Sequence, residues 1–214
     1  MCGIIGNEVL LHMSAVIGVC GTNFCTFWAD GRMVSNSDGV IGVTSDHVQK
    51  IFKLNTHVLF GAAGWFDHRE NIESAILNIN DVDHVSVNTV QNAVVSYMET
   101  HTDILSKVKV RNYLVGGKMD NGKFIIYEIR WNNECKKIEV VERLPIPPAS
   151  AYGISMMLPN ASHEVHQHFL NRVATAISDS ISLEQLIPKV ADVIAAISTV
   201  DATVGKYVMQ FTVT

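Results

Sequence analysis

Ser14 and Asp30 bracket an apolar stretch, and a hydroxyl held beside a carboxylate is the beginning of nucleophilic chemistry. A serine hydroxyl attacks poorly near neutral pH unless a base and a favourable charge lie next to it. Whether the two residues meet depends on the segment between them. Residues 15–20 and 24–30 are apolar runs, and Gly21-Thr22-Asn23 carries turn chemistry. A turn centred on Thr22 sets Cys20 against Phe24, Val16 against Trp28 and Ser14 against Asp30, at the open end of a hairpin. A second pair follows, in which Asn55-Thr56-His57 separates residues 50–54 from residues 58–64. Centred on Thr56, it pairs Lys50 with Ala62 and Val48 with Gly64, which brings an ammonium close to a glycine backbone. Each residue has a plainer reading when taken singly. Asp30 is then a strand-end turn residue, Lys50 a solvated charge, Gly64 a helix-entry glycine and Asp201 a loop carboxylate.

The surrounding elements must position these groups. Ile72, Ala75, Ile76 and Ile79 follow helical spacing, and Val87, Val90, Val94 and Tyr97 nearly do. Strands are expected at 113–117, 123–130 and 137–143, the first two joined by a turn at Asp120-Asn121-Gly122. LPIPPAS, at 144–150, reads as a stiff connector. Helices are expected at His163–Ser178 and Leu183–Val200, the second behind Ser182 as N-cap. Pro188 within it predicts a kink or a later start. The chain closes on a strand at 207–213. Strand and helix blocks segregate rather than alternate, which predicts an α+β fold of two antiparallel sheets sandwiched between helix pairs, four layers in all.

Composition limits the partners. The 214 residues are 48% hydrophobic and 17% charged with a net charge of −5, so a full core is affordable and no basic footprint for nucleic acid exists. No apolar run reaches the ~18 residues of a membrane span, and no Lys or Arg precedes Arg32 as a secretory signal would require. Cys2, Cys20, Cys25 and Cys135 form no CxxC, and three of them lie in or beside apolar segments, which predicts thiols in a cytoplasmic protein.

Three stretches in order, SAVIGVCGTNFCTFWADGR, QKIFKLNTHVLFGAAGW and STVDATVGKYVMQF, resemble catalytic β-type subunits of the proteasome and their bacterial relatives, which are N-terminal nucleophile hydrolases. The resemblance covers residues 14–214 as one domain, leaving 1–13 as an extension: a propeptide, an upstream start or a remnant. It implies the αββα sandwich, amide-bond hydrolysis of a peptide or small amide, no metal or organic cofactor, and self-association into a ring-like homo-oligomer. It names no unfoldase partner. The family's nucleophile, usually a threonine at the first mature residue, matches Ser14. Its Asp-x-Arg aspartate matches Asp30 with Arg32 after it, its lysine Lys50, its Ala-Gly glycine Gly64, and its last-turn aspartate Asp201. Met33, Val48, Ala62 and Phe66 would line an apolar pocket for the side chain beside the scissile bond. Three positions depart from the pattern: Met13 stands where glycine usually precedes the nucleophile, and Val204 replaces a hydroxyl. YGIS puts Ser155 one position away from the family's supporting serine.

Other motifs have weaker claims. MCGIIG resembles the start of class II glutamine amidotransferases, which would make Cys2 the nucleophile. His163, His166 and His168 sit at metal-like spacing but without a second cluster, as solvated histidines at a helix start would. YGISM lacks the closing glycine of a nucleophile elbow. The glycines in GAAG, at 61–64, and GG, at 116–117, lack a phosphate-loop setting and read as close-packed backbone.

Overall fold

The computed structural model describes residues 9–11, 14–37, 40–64, 72, 76, 79, 81–105, 111–145, 152–158 and 161–214. In chain order the elements are β1 (Val9–Leu11), β2 (Val16–Cys20), β3 (Cys25–Asp30), β4 (Met33–Ser37), β5 (Val40–Ser45), β6 (Ile51–Lys53), β7 (Val58–Gly64), a short 3₁₀ turn (Val82–His84), α1 (Val87–Thr100), α2 (Thr102–Leu105), β8 (Arg111–Lys118), β9 (Phe124–Asn132), β10 (Lys137–Arg143), β11 (Gly153–Met157), α3 (His163–Ser178), α4 (Leu183–Val200) and β12 (Val208–Val213). The strands form a four-stranded sheet, β11-β2-β3-β12, a five-stranded sheet, β10-β9-β8-β7-β6, and a three-stranded sheet, β1-β4-β5. Every pairing among the described residues is antiparallel.

β2 and β3 are buried along their whole length, because alternate side chains enter two different cores. Ile17, Val19 and Trp28 pack with Val173 and Ile177 of α3 and Val190, Ile194 and Ile197 of α4. Val16, Cys20, Phe27 and Ala29 point the other way, onto Leu59, Leu114 and Ile126 of the five-stranded sheet. That sheet's opposite face, with Phe60, Tyr113, Val115 and Ile129, packs on Val87, Val90, Val94 and Met98 of α1 and on Ile72 and Ile76. Each fully buried large side chain contributes about 1.5–3 kcal/mol, which is why runs as apolar as residues 15–20 and 24–29 settle in the middle of the molecule. Gly116 admits Phe27 there, since a Cβ at Gly116 would lie 2.8 Å from the ring. Of the helix expected around 72–79, Ile72 and Ile76 are helical and buried, and the residues between them lie outside those described.

The caps set the helix ends. The Ser182 hydroxyl accepts from Gln185 N–H at 3.4 Å, so α4 starts at Leu183 as expected, with Pro188 inside it and no later start. Ser162 caps α3 in the same way through Val165 N–H. Two parts of the fold were not expected. β4 and β5 make a hairpin of their own, and Val9–Leu11, from the segment read as an extension, pairs with β4 as its third strand.

Of the two hairpins that position the candidate residues, one keeps the expected register and the other departs from it. In the second, Ile51 faces Gly61 and Phe52 faces Phe60, the expected register, fixed by Asn55 Oδ1 accepting from the His57 and Val58 amides. The first is shifted by one residue, with Cys20 facing Cys25 and Val16 facing Ala29. Its tip is closed by Gly21 N–H donating to Phe24 O at 2.9 Å, so Thr22-Asn23 forms a two-residue turn. Asp30 therefore lies opposite Ala15, not Ser14.

Candidate active site

Asp30 ends β3 and is completely buried, a position that charge tolerates only with full pairing. Four donors converge on its carboxylate. Oδ1 accepts from Ala15 N–H at 2.8 Å and Lys50 Nζ at 3.0 Å, while Oδ2 accepts from Arg32 N–H and Gly205 N–H, each at 2.9 Å. Lys50, also completely buried, donates in addition to Arg32 O at 2.6 Å. The pair is tied to backbone at Ala15, Arg32 and Gly205, and three of these four bonds to Asp30 come from peptide groups that cannot swing away.

Ser14 is 2% exposed and directly precedes Ala15, whose amide is fixed on Asp30. The one-residue shift of register thus leaves Ser14 next to the anchor rather than opposite Asp30. On the Lys50 side, Ala62 N–H donates to Lys50 O at 3.0 Å, as the expected pairing requires. Gly64 closes β7 two residues further on, buried and at φ +116°, a backbone region that favours glycine. The second hairpin therefore brings Lys50 and Gly64 to one end of the sheet.

Arg32 links the pair to the turn between α4 and β12. Its Nε donates to Asp46 Oδ1 at 2.6 Å and its Nη1 to Ala202 O at 2.9 Å, while its own amide and carbonyl serve Asp30 and Lys50. The hydrogen bond between the two side chains raises the Arg32 pKa above its ordinary value and lowers that of Asp46. Asp201 caps α4 and serves its own turn, accepting from Thr203 N–H at 2.9 Å and from the Thr203 hydroxyl. That turn reaches Asp30 through Gly205 instead.

Gly205 and Asp46 are the members of this network that sequence reasoning missed. The VDATVG motif contains Gly205, but a backbone donor has no side-chain signature. Asp46 follows β5 and carries no motif of its own in the sequence.

Ser155 is elsewhere. Its hydroxyl donates to Glu128 Oε2 at 3.0 Å, and β11 sets it against Gly18 of β2. Three of the four pocket candidates lie among the described residues. Met33 starts β4, Val48 donates its amide to Gly31 O at 2.8 Å, and Ala62 packs in the core beneath α1. Phe66 and Cys2 lie outside the described residues. His166 Nε2 lies 2.9 Å from Met156 O and His168 packs edge-on to Phe169, so both histidines have local partners.

No family model matches the sequence, and no curated protein matches it. Among solved structures the chain is similar to eukaryotic HslV from Trypanosoma brucei, with a TM-score of 0.58 and 11% identity over 93% of this chain and 98% of that one. At that identity the likeness establishes the fold alone, which is proteasome-like.

Proposed function

We propose that the chain is an amide-bond hydrolase of the N-terminal nucleophile type, a four-layer αββα protein whose nucleophile is Ser14. The observation that carries the reading is the fully buried Asp30–Lys50 pair at 3.0 Å, anchored on the amide of the residue that follows Ser14. An ion pair removed from water is costly to maintain and is a weak source of stability, so its position beside a buried serine calls for a chemical role.

In the proposed reaction the α-amine of a chain beginning at Ser14, with an ordinary pKa of about 7.7–8.0, takes the hydroxyl proton. The Ser14 oxygen attacks the substrate carbonyl and forms a tetrahedral oxyanion. Lys50, held charged by Asp30, lowers the energy of the developing alkoxide, and the Gly64 amide faces the oxyanion. Collapse breaks the C–N bond, the leaving amine takes the proton from the α-ammonium, and water then releases the acyl group by the same steps. Arg32 holds the α4–β12 turn against Asp30, and Asp201 shapes that turn. In the family pattern Met33, Val48, Ala62 and Phe66 select an apolar side chain, and copies associate into a ring in the cytoplasm. Among the described residues no helix is long and apolar enough to cross a membrane.

A second reading is favoured by one observation, the pairing of Val9–Leu11 with β4. A strand built into a sheet binds the extension to the fold, and while it is attached the Ser14 nitrogen is an amide that accepts no proton. A chain that keeps it is an inert scaffold. Turnover of a fluorogenic peptide amide separates the two. A form beginning at Ser14 is expected to cleave it while the full chain does not. Equal inactivity of both, with the fold intact, favours the scaffold, and activity lost with Cys2→Ala in the full chain favours Cys2 as nucleophile.

A further inference from the structure

A second cluster of charge lies away from Ser14, where the edge strand β11 passes β9 and β10 and α3 covers the gap. It lines a cleft of about 520 Å³. Glu128 is its only carboxylate among the described residues and is nearly buried. Its Oε2 accepts from Arg143 Nη2 at 3.2 Å and from the Ser155 hydroxyl at 3.0 Å, and its Oε1 lies 3.8 Å from Arg130 Nη1. Two guanidiniums therefore face one carboxylate. Arg130 has a further partner in Glu139, outside the cleft, whereas the buried Nε–H of Arg143 has no acceptor among the described residues.

Nε and Nη2 of an arginine form the fork that grips an anion side-on. Here Glu128 occupies Nη2, and Nε–H has no acceptor among the described residues. The backbone beneath the fork is close-packed: the Arg143 carbonyl accepts from Cys20 Sγ, and a Cβ on Gly153 would lie 2.7 Å from it. Half the wall is apolar, with Ile154, Met156, Leu158, Leu170 and Ala174 facing the same space. Asn112 adds an amide at the rim.

We propose that this cleft is a binding site for a monocarboxylate with an aliphatic body, its carboxylate on Arg143 and its body against β11 and α3. Inorganic phosphate matches the guanidinium but not the apolar wall, and an uncharged amide matches the wall but leaves Arg143 unanswered. The site is independent of Ser14 and stands or falls separately from the hydrolase reading.

Calorimetric titration of the full chain tests it, with N-acetyl-leucine, N-acetyl-leucinamide and inorganic phosphate as probes. N-acetyl-leucine is expected to saturate one site and to bind about tenfold more tightly than either of the others. Arg143→Gln should abolish that preference. Because this change leaves Glu128 with fewer donors, Ala174→Trp serves as the second variant: it fills the cleft from the exposed face of α3, touches no charged group, and should eliminate binding with the thermal midpoint preserved. Equal binding of acid and amide, absence of saturable binding, or binding that survives Ala174→Trp would each overturn the site. The carboxylate of a free small acid and that of a peptide end share this chemistry. Tighter binding of glycyl-glycyl-leucine than of 4-methylpentanoate supports the site with a peptide end as ligand, and the reverse supports it with a small acid.

Discussion

Asp30 and Glu128 are two buried carboxylates paired with cations, yet they are held in different ways. Asp30 takes three of its four bonds from backbone amides, of Ala15, Arg32 and Gly205, and one from a lysine that is itself completely buried. Glu128 takes its bonds from side chains, Ser155 and the two arginines, whose guanidinium ends reach solvent. A carboxylate fixed by backbone cannot lose its partners without unfolding, and it keeps a charge in one place during a reaction. A carboxylate fixed by half-exposed side chains can share them with a ligand. The first arrangement suits a permanent electrostatic anchor and the second a binding cleft.

The largest effect that would break this comparison is at Lys50. Lys50→Ala leaves Asp30 buried with its charge unmatched, and denaturant unfolding should show a loss of about 3–5 kcal/mol. In an ordinary buried pair, replacing both partners with apolar residues restores most of the stability. Here Asp30→Leu with Lys50→Met should restore little, because three amide donors would be stranded. Recovery to near wild-type stability would contradict the backbone anchoring.

A smaller effect is expected at Gly64. Its φ of +116° makes Gly64→Ala cost about 1–3 kcal/mol in the same assay, irrespective of any role in catalysis. At the second carboxylate, Arg143→Gln should cost only about 1 kcal/mol, since its side chain is 42% exposed and Ser155 and Arg130 remain beside Glu128. A loss as large as that of Lys50→Ala would erase the distinction between the two regions.

The smallest effect concerns pH. Asp46 has a folded pKa held below its ordinary value by Arg32, so it binds a proton less readily folded than unfolded. Its contribution is present above the unfolded carboxylate pKa of about 3.9 and disappears as pH falls through the lower folded value. Asp46→Asn should therefore reduce stability slightly at neutral pH and flatten the acid limb of the stability curve. An unchanged acid limb would remove Asp46 from the network.

The candidate site was legible in the sequence wherever side chains carried the signal. Asn55 fixed the second hairpin through its own side chain, so the Lys50–Ala62 pairing could be read in advance. Ser182 announced the start of α4 despite Pro188. The first hairpin was misread by one residue, because Gly21-Thr22-Asn23 offers two tips and only the Gly21–Phe24 backbone bond selects one. Side-chain alternation could not correct the error, since both faces of β2 and β3 are buried. Gly205 remains hidden because it acts through its amide, and the YGIS motif carries no trace of the Ser155 contact to Glu128.

The central claim is that Ser14 becomes a nucleophile when its amine is free. Intact-mass analysis and peptide mapping after treatment with an electrophilic peptide probe test it directly. For a chain beginning at Ser14, the account predicts one adduct, mapped to Ser14, which is absent from the full-length chain and from Ser14→Ala. An adduct on Cys2 of the full-length chain, or no adduct on a folded chain beginning at Ser14, would contradict it.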